Sequence, residues 1–180
     1  MAVKDVDISF RSTVNQDAIH SNTLSFIKLL GDESGNYNIE ISSSARSPME
    51  QAIVMYENCV KLGVESQRKL YLNAGDQVIR VFERYQGATR NEAINAMYNK
   101  IFDLGPSRVS KHCVDPSLMN VIDIPFSSIQ HKGAFRRALG KYSPNPIECF
   151  LVESDNNCFH IELRLDNLGS FLRTANLSAF

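Results

Sequence analysis

Hydrophobic period changes partway along this chain, and that change limits the folds open to it. From Ala52 to Ile101 apolar side chains recur at helical spacing. Towards the C-terminus VIDIP, IECFLVES and NCFHIELRL read instead as strands, the last alternating apolar and polar at every second position. A chain whose helices cluster early and whose strands cluster late belongs to the α+β class. The sheet is then mostly antiparallel, with helices packed on one side.

Local signals mark several boundaries. In SPME, Ser47 can cap a helix, Pro48 suits its first turn and Glu50 can reach back to complete a capping box. The stripe Ala52, Met55, Tyr56, Cys59, Val60 follows and stops at Gly63. A second helix carries Val78, Val81, Phe82 and Tyr85; TRNE, with Thr89 and Glu92, opens a third that buries Ala93, Ile94, Met97, Tyr98 and Ile101. Upstream, residues 5–12 suggest an edge strand, Ile19, Phe26, Ile27 and Leu30 a helix ending at Gly31, and GNYNIEISSSAR a strand with Ile39 and Ile41 on its apolar face. LGPSRVSKHCVDPSLMN reads as a long loop. A helix is expected around residues 127–141 with Ile129, Phe135 and Leu139 inward, and a short one from about residue 167.

Composition then narrows the function. Among 180 residues, 43% hydrophobic and 22% charged, no repeat or linker separates domains, so a single domain spanning residues 1–180 is expected. Nineteen Lys and Arg stand against twenty Asp and Glu without a basic run, which argues against a nucleic-acid partner. No stretch approaches the ~20 apolar residues that cross a bilayer. MAVKDVDISF lacks the apolar core of a secretory signal, so synthesis and residence in a cytoplasm are expected unless another route exports the chain. Cys59, Cys113, Cys149 and Cys158 form no CxxC pair and are expected as thiols, with Cys59 in the core.

Strand periodicity also selects the polar side chains that share a face. In NCFHIELRL, Phe159, Ile161, Leu163 and Leu165 form the apolar set, leaving Cys158, His160, Glu162 and Arg164 on the other side. In VIDIP, Ile122 and Ile124 face the core and Asp123 does not. Imidazole and carboxylate are preferred zinc ligands, and three protein ligands with one open position make a catalytic site. His112, in the loop before the Asp123 strand, completes such a set with Asp123 and His160. The plain alternative is a solvated histidine and an ordinary surface carboxylate.

Three short segments resemble the zinc-binding elements of the M15 peptidases: S-x-H at Ser110–His112, V-I-D-I at Val121–Ile124 and F-H-I-E at Phe159–Glu162. These are D-alanyl-D-alanine carboxypeptidases, dipeptidases and phage endolysins of the Hedgehog/DD-peptidase fold. ISSSARSPMEQA is similar to that family's SGYRS…Q segment, and the similarity extends over about residues 36–165. The resemblance implies a Zn²⁺ held by His112, Asp123 and His160, with peptidoglycan peptides as substrate. It also implies that Arg46 steadies a carbonyl oxygen or a substrate carboxylate, where the ion-pair alternative is Glu40. If the chain is phage-encoded, host cytoplasm or the virion is its implied location.

Two departures from the family pattern stand out. CVDPSLMNVI separates His112 from Asp123, a wider spacing than the family's, so Asp115 is a rival ligand. Asn157 occupies the position where the family places a Glu, or in one branch an Asp, before its last ligand histidine, and an amide cannot accept a proton from water. Asp155 and Glu153 are the remaining candidates for proton transfer, and Glu162 could orient an imidazole. A catalytically inactive wall-binding or virion component is the rival reading of the same fold. Cys113 with His160 as base is the rival catalytic pairing, although no helix N-terminus is in view to lower its pKa.

Overall fold

A computed structural model describes residues 5–71 and 73–174. They form two compact units, residues 5–45 with 115–174, and residues 46–114. The fold is α+β, as the change of period predicts.

The first unit contains β1 (Asp7–Phe10), α1 (Ser21–Ser34) and β2 (Asn38–Ile41) before the chain leaves it. On return it adds β3 (Met119–Pro125), and later β4 (Ile147–Glu153) and β5 (Cys158–Arg164). The last three make an antiparallel sheet in the order β3-β5-β4, while β1 and β2 pair in parallel. An antiparallel bridge joins Ser43 to Asp123, with Ser42 N–H donating to Asp123 O at 2.8 Å and Asp123 N–H to Ser43 O at 3.1 Å. Phe159, Ile161 and Leu163 of β5 and Ile122 and Ile124 of β3 are buried in one core. Phe26, Ile27 and Leu30 of α1 and residues from two further helices, described below, complete it. The helices thus cover the apolar face of the antiparallel sheet.

Burial within this unit rests on polar pins as well. Asn120, buried on β3, accepts from His20 N–H (2.7 Å) and the Thr23 hydroxyl (2.8 Å) and donates to Ala18 O (2.9 Å) and Pro116 O (3.1 Å). All of its hydrogen-bonding capacity is used, which makes a buried amide tolerable and holds β3 against the start of α1.

The second unit is helical: α2 (Pro48–Leu62), α3 (Val64–Leu70), α4 (Asn73–Arg84), α5 (Arg90–Leu104) and α6 (Pro106–Val109), then a 3-10 turn at Lys111–Cys113. Both expected capping boxes are formed, Ser47 with Glu50 and Thr89 with Glu92. Ala52, Met55, Cys59, Val78, Ile79, Phe82, Ile94, Met97 and Ile101 make its core. Arg68 on α3 is held by Glu65 (2.7 Å), Asp76 (3.1 Å) and Glu83 (2.7 Å), tying α3 to α4. The first unit closes with α7 (Lys132–Lys141) and α8 (Leu165–Thr174), which supply Phe135, Leu139, Leu168 and Leu172 to its core. No described helix is long and apolar enough to cross a membrane.

Several boundaries differ from those read off the sequence: α3 has no counterpart there, and Leu165, expected on the last strand, opens α8 instead. The loop expected over 104–120 begins with α6 and the 3-10 turn, because Pro106 at a first helical position favours a helix start. The helix expected from residue 127 starts at Lys132, after a 3-10 turn at Phe126–Ser128, yet Ile129 is buried as expected. Gly31 does not end α1. It lies inside the helix because a Cβ there would sit 2.6 Å from Asn36 O, 2.8 Å from Val6 Cγ1 and 3.0 Å from Ile39 Cδ1. Gly35, with φ of 70°, is the residue that caps the end.

Gly31→Ala is therefore expected to destabilise the protein by about 1–3 kcal/mol through overpacking. At an open mid-helix glycine the same change would add up to about 1 kcal/mol of stability. Urea unfolding of the variant decides between them, and a gain in stability would show that this close approach is absent.

Candidate metal centre

Cross-strand register builds the centre. Asp123 pairs directly with His160 between β3 and β5, so both side chains project from one face of the sheet. His160 Nδ1 lies 2.9 Å from Asp123 Oδ1, and its Nε2 lies 3.4 Å from Glu162 Oε1. His112 enters from the 3-10 turn, where its N–H donates to Ser110 Oγ at 3.3 Å and its carbonyl accepts from Arg46 N–H at 2.8 Å. His112, Asp123 and His160 each offer one donor atom within 4.8 Å of the others, a group that could hold a metal ion. Two imidazole nitrogens and a carboxylate oxygen form a donor set of the kind that a divalent transition metal takes.

This face is not the solvated surface that alternation alone suggests. His112 is 5% exposed, His160 7% and Glu162 6%. Burial works against charging His160, but the hydrogen bonds it donates to Asp123 and Glu162 and the charges of Asp123 and Glu153 outweigh it, raising its pKa to about 9. In the metal-free protein the imidazole is thus protonated at neutral pH, and a metal must displace that proton.

The other sequence candidates fall in distinct places. Asp115 does not join the group: its Oδ1 accepts from Ser117 N–H (2.9 Å) and Ser117 Oγ (2.7 Å) in an exposed turn. Arg46 precedes α2, and its guanidinium donates to Gln51 Oε1 at 3.1 Å. The Glu40 carboxylate, its expected ion-pair alternative, is engaged instead by Arg11 at 2.9 Å. Glu153 ends β4 opposite Cys158, on the face that carries His160; its Oε2 accepts from Asn156 Nδ2 at 2.8 Å. Asp155 is exposed in the turn joining β4 to β5. Asn157, with φ of 53°, occupies the left-handed region that Asn tolerates better than most side chains, so the turn itself favours the amide at this position. Burial pushes the Cys113 thiol up to about 11, against the effect of Arg46, which leaves no activated thiolate for the cysteine reading.

Sequence reasoning missed the support behind Arg46. Gln51, fully buried on α2, donates from Nε2 to the Tyr71 hydroxyl at 2.9 Å while accepting from Arg46. Nothing in the helical spacing of α2 distinguishes this amide from a solvated one.

The chain matches no protein-family model, no curated protein and no solved structure.

Because the folded pKa of His160 lies above its ordinary 6.5, the contribution of this residue to metal-free stability is complete below pH 6.5 and declines as pH rises through about 9. With chelator present, wild type should lose more stability between pH 6 and pH 9.5 than His160→Gln. Denaturant titrations at the two pH values test this; parallel losses would show that the imidazole is not held by its acidic neighbours.

Proposed function

We propose that this chain is a zinc-dependent peptidase acting on peptidoglycan peptides, with His112, Asp123 and His160 as the metal ligands. The observation that carries the reading is the convergence of these three side chains, distant in sequence, within 4.8 Å of one another. Their order and flanking residues are those in which the chain resembles the M15 peptidases. Zinc suits mixed imidazole and carboxylate ligation, and it would polarise a scissile carbonyl and make water acidic enough to act near neutral pH.

The remaining roles belong to the chain's own groups. Arg46 is suited to a carboxylate or carbonyl oxygen, because its planar fork stays charged and Gln51 holds it from one side. Glu153 is the better placed of the two proton-transfer candidates, since it shares the sheet face of His160 and its charge acts on that imidazole. Asp155 lies in the exposed turn beyond it.

A second reading has an observation of its own. Asn157 fills the position of the family's proton acceptor, and its left-handed backbone ties it to the turn. A metal-holding protein without hydrolytic activity, serving as a wall-binding or virion component, would keep such a site.

Hydrolysis of purified peptidoglycan, with and without chelator, tests both. Activity should vanish on chelation and in His160→Ala, and fall by about 10²–10⁴-fold in Glu153→Gln with Asp155→Asn little changed. Activity that survives chelation would reject the metallopeptidase. Zinc uptake without hydrolysis by the wild type would select the inactive reading.

A further inference from the structure

Arg46 stands at the start of the helical unit, its N–H donating to the carbonyl of the ligand His112 at 2.8 Å. The capping box of Ser47 and Glu50 fixes the main chain that follows, and Gln51 lies one turn beyond Ser47, fully buried. Its neighbours settle which way the amide faces. A guanidinium has donors and no acceptor, so Gln51 must offer it Oε1, as the 3.1 Å bond from Arg46 shows. Nε2 then points the other way, and the Tyr71 hydroxyl accepts from it at 2.9 Å. The phenol ring has a seat on α4. A Cβ on Gly75 would lie 2.4 Å from Tyr71 Cβ and 2.8 Å from Tyr71 Cγ, so only bare helix backbone leaves room for the ring.

We propose that Tyr71 is a positioning residue: by accepting from Gln51 it keeps the amide oxygen turned to Arg46, and so holds the guanidinium in the orientation that meets the substrate. The inference rests on the role given to Arg46 above and deepens it. An arginine side chain is long and rotatable, and its planar fork recognises an oxygen well only when its plane is fixed beforehand. Without the phenolic oxygen, a buried Nε2 loses its acceptor. That state is costly, and the amide relieves it by swinging to another partner and releasing Arg46. Arg46, Gln51 and Tyr71 also form one chain in which each donor points the same way, so the bonds reinforce one another.

Side-chain NMR of the metal-free protein and peptidoglycan hydrolysis test the inference separately. In the wild type, the Gln51 carboxamide protons should exchange slowly with solvent, and the Arg46 Nη protons should give resolved rather than averaged signals. Tyr71→Phe, which keeps the ring and removes the hydroxyl, should average the Arg46 signals. In the hydrolysis assay it should lower kcat/KM about 10-fold in the wild-type background and leave it unchanged in Arg46→Ala, because a residue acting through Arg46 has no effect once the guanidinium is gone. Arg46 signals insensitive to Tyr71→Phe, or an equal loss of activity in both backgrounds, would overturn the proposal. Should Tyr71→Phe not fold, Gly75→Ala displaces the ring while keeping the hydroxyl, and it must average the same signals for the proposal to stand. Absence of hydrolysis by the wild type would reject the peptidase reading, whereas the NMR comparison still decides whether Tyr71 orders Arg46.

Discussion

The pairing of β3 with β5 in one register is the constraint on which the candidate centre depends. Asp123 meets His160 only because Ile122 opposes Ile161 and Ile124 opposes Phe159, all four of them buried. A slip of one residue would turn the isoleucines out of the core and Asp123 into it, so apolar burial specifies where the polar pair must stand. The four hydrogen bonds of Asn120 and the backbone bonds from Ser42 and to Ser43 hold β3 on both sides of that pair.

Electrostatics then follows from position. On a solvated sheet face His160, Asp123 and Glu162 would be unremarkable surface groups with weak mutual interactions. Packed together here, Asp123 and Glu162 raise the pKa of the imidazole that lies between them. In the helical unit, burial disfavours the Cys113 thiolate.

In the helical unit, the ends rather than the middle carry the functional candidates. Its core is ordinary, and its capping boxes and Arg68 network are structural. Arg46 at its start and His112 near its end are joined by the hydrogen bond from Arg46 N–H to His112 O. Gln51 adds a side-chain link, so Arg46 is held by its main chain at one end and by its guanidinium at the other.

Features that depend on neighbours along the chain were legible in the residues alone. The boxes at Ser47 and Thr89 involve groups three positions apart, and the strand faces of β3 and β5 follow from a period of two, so local geometry settles them. The α+β class and the presence of Asp123 and His160 on one polar face rest on the same information. What depended on neighbours distant in sequence was not legible: the parallel pairing of β1 with β2, the burial of the polar face, and the Gln51–Tyr71 support. Gly31 shows the difference most directly. As a sequence signal it reads as a helix end, but the close approach of Asn36, Val6 and Ile39 gives it another purpose. Spacing reports which way a side chain points; only packing reports what it meets there.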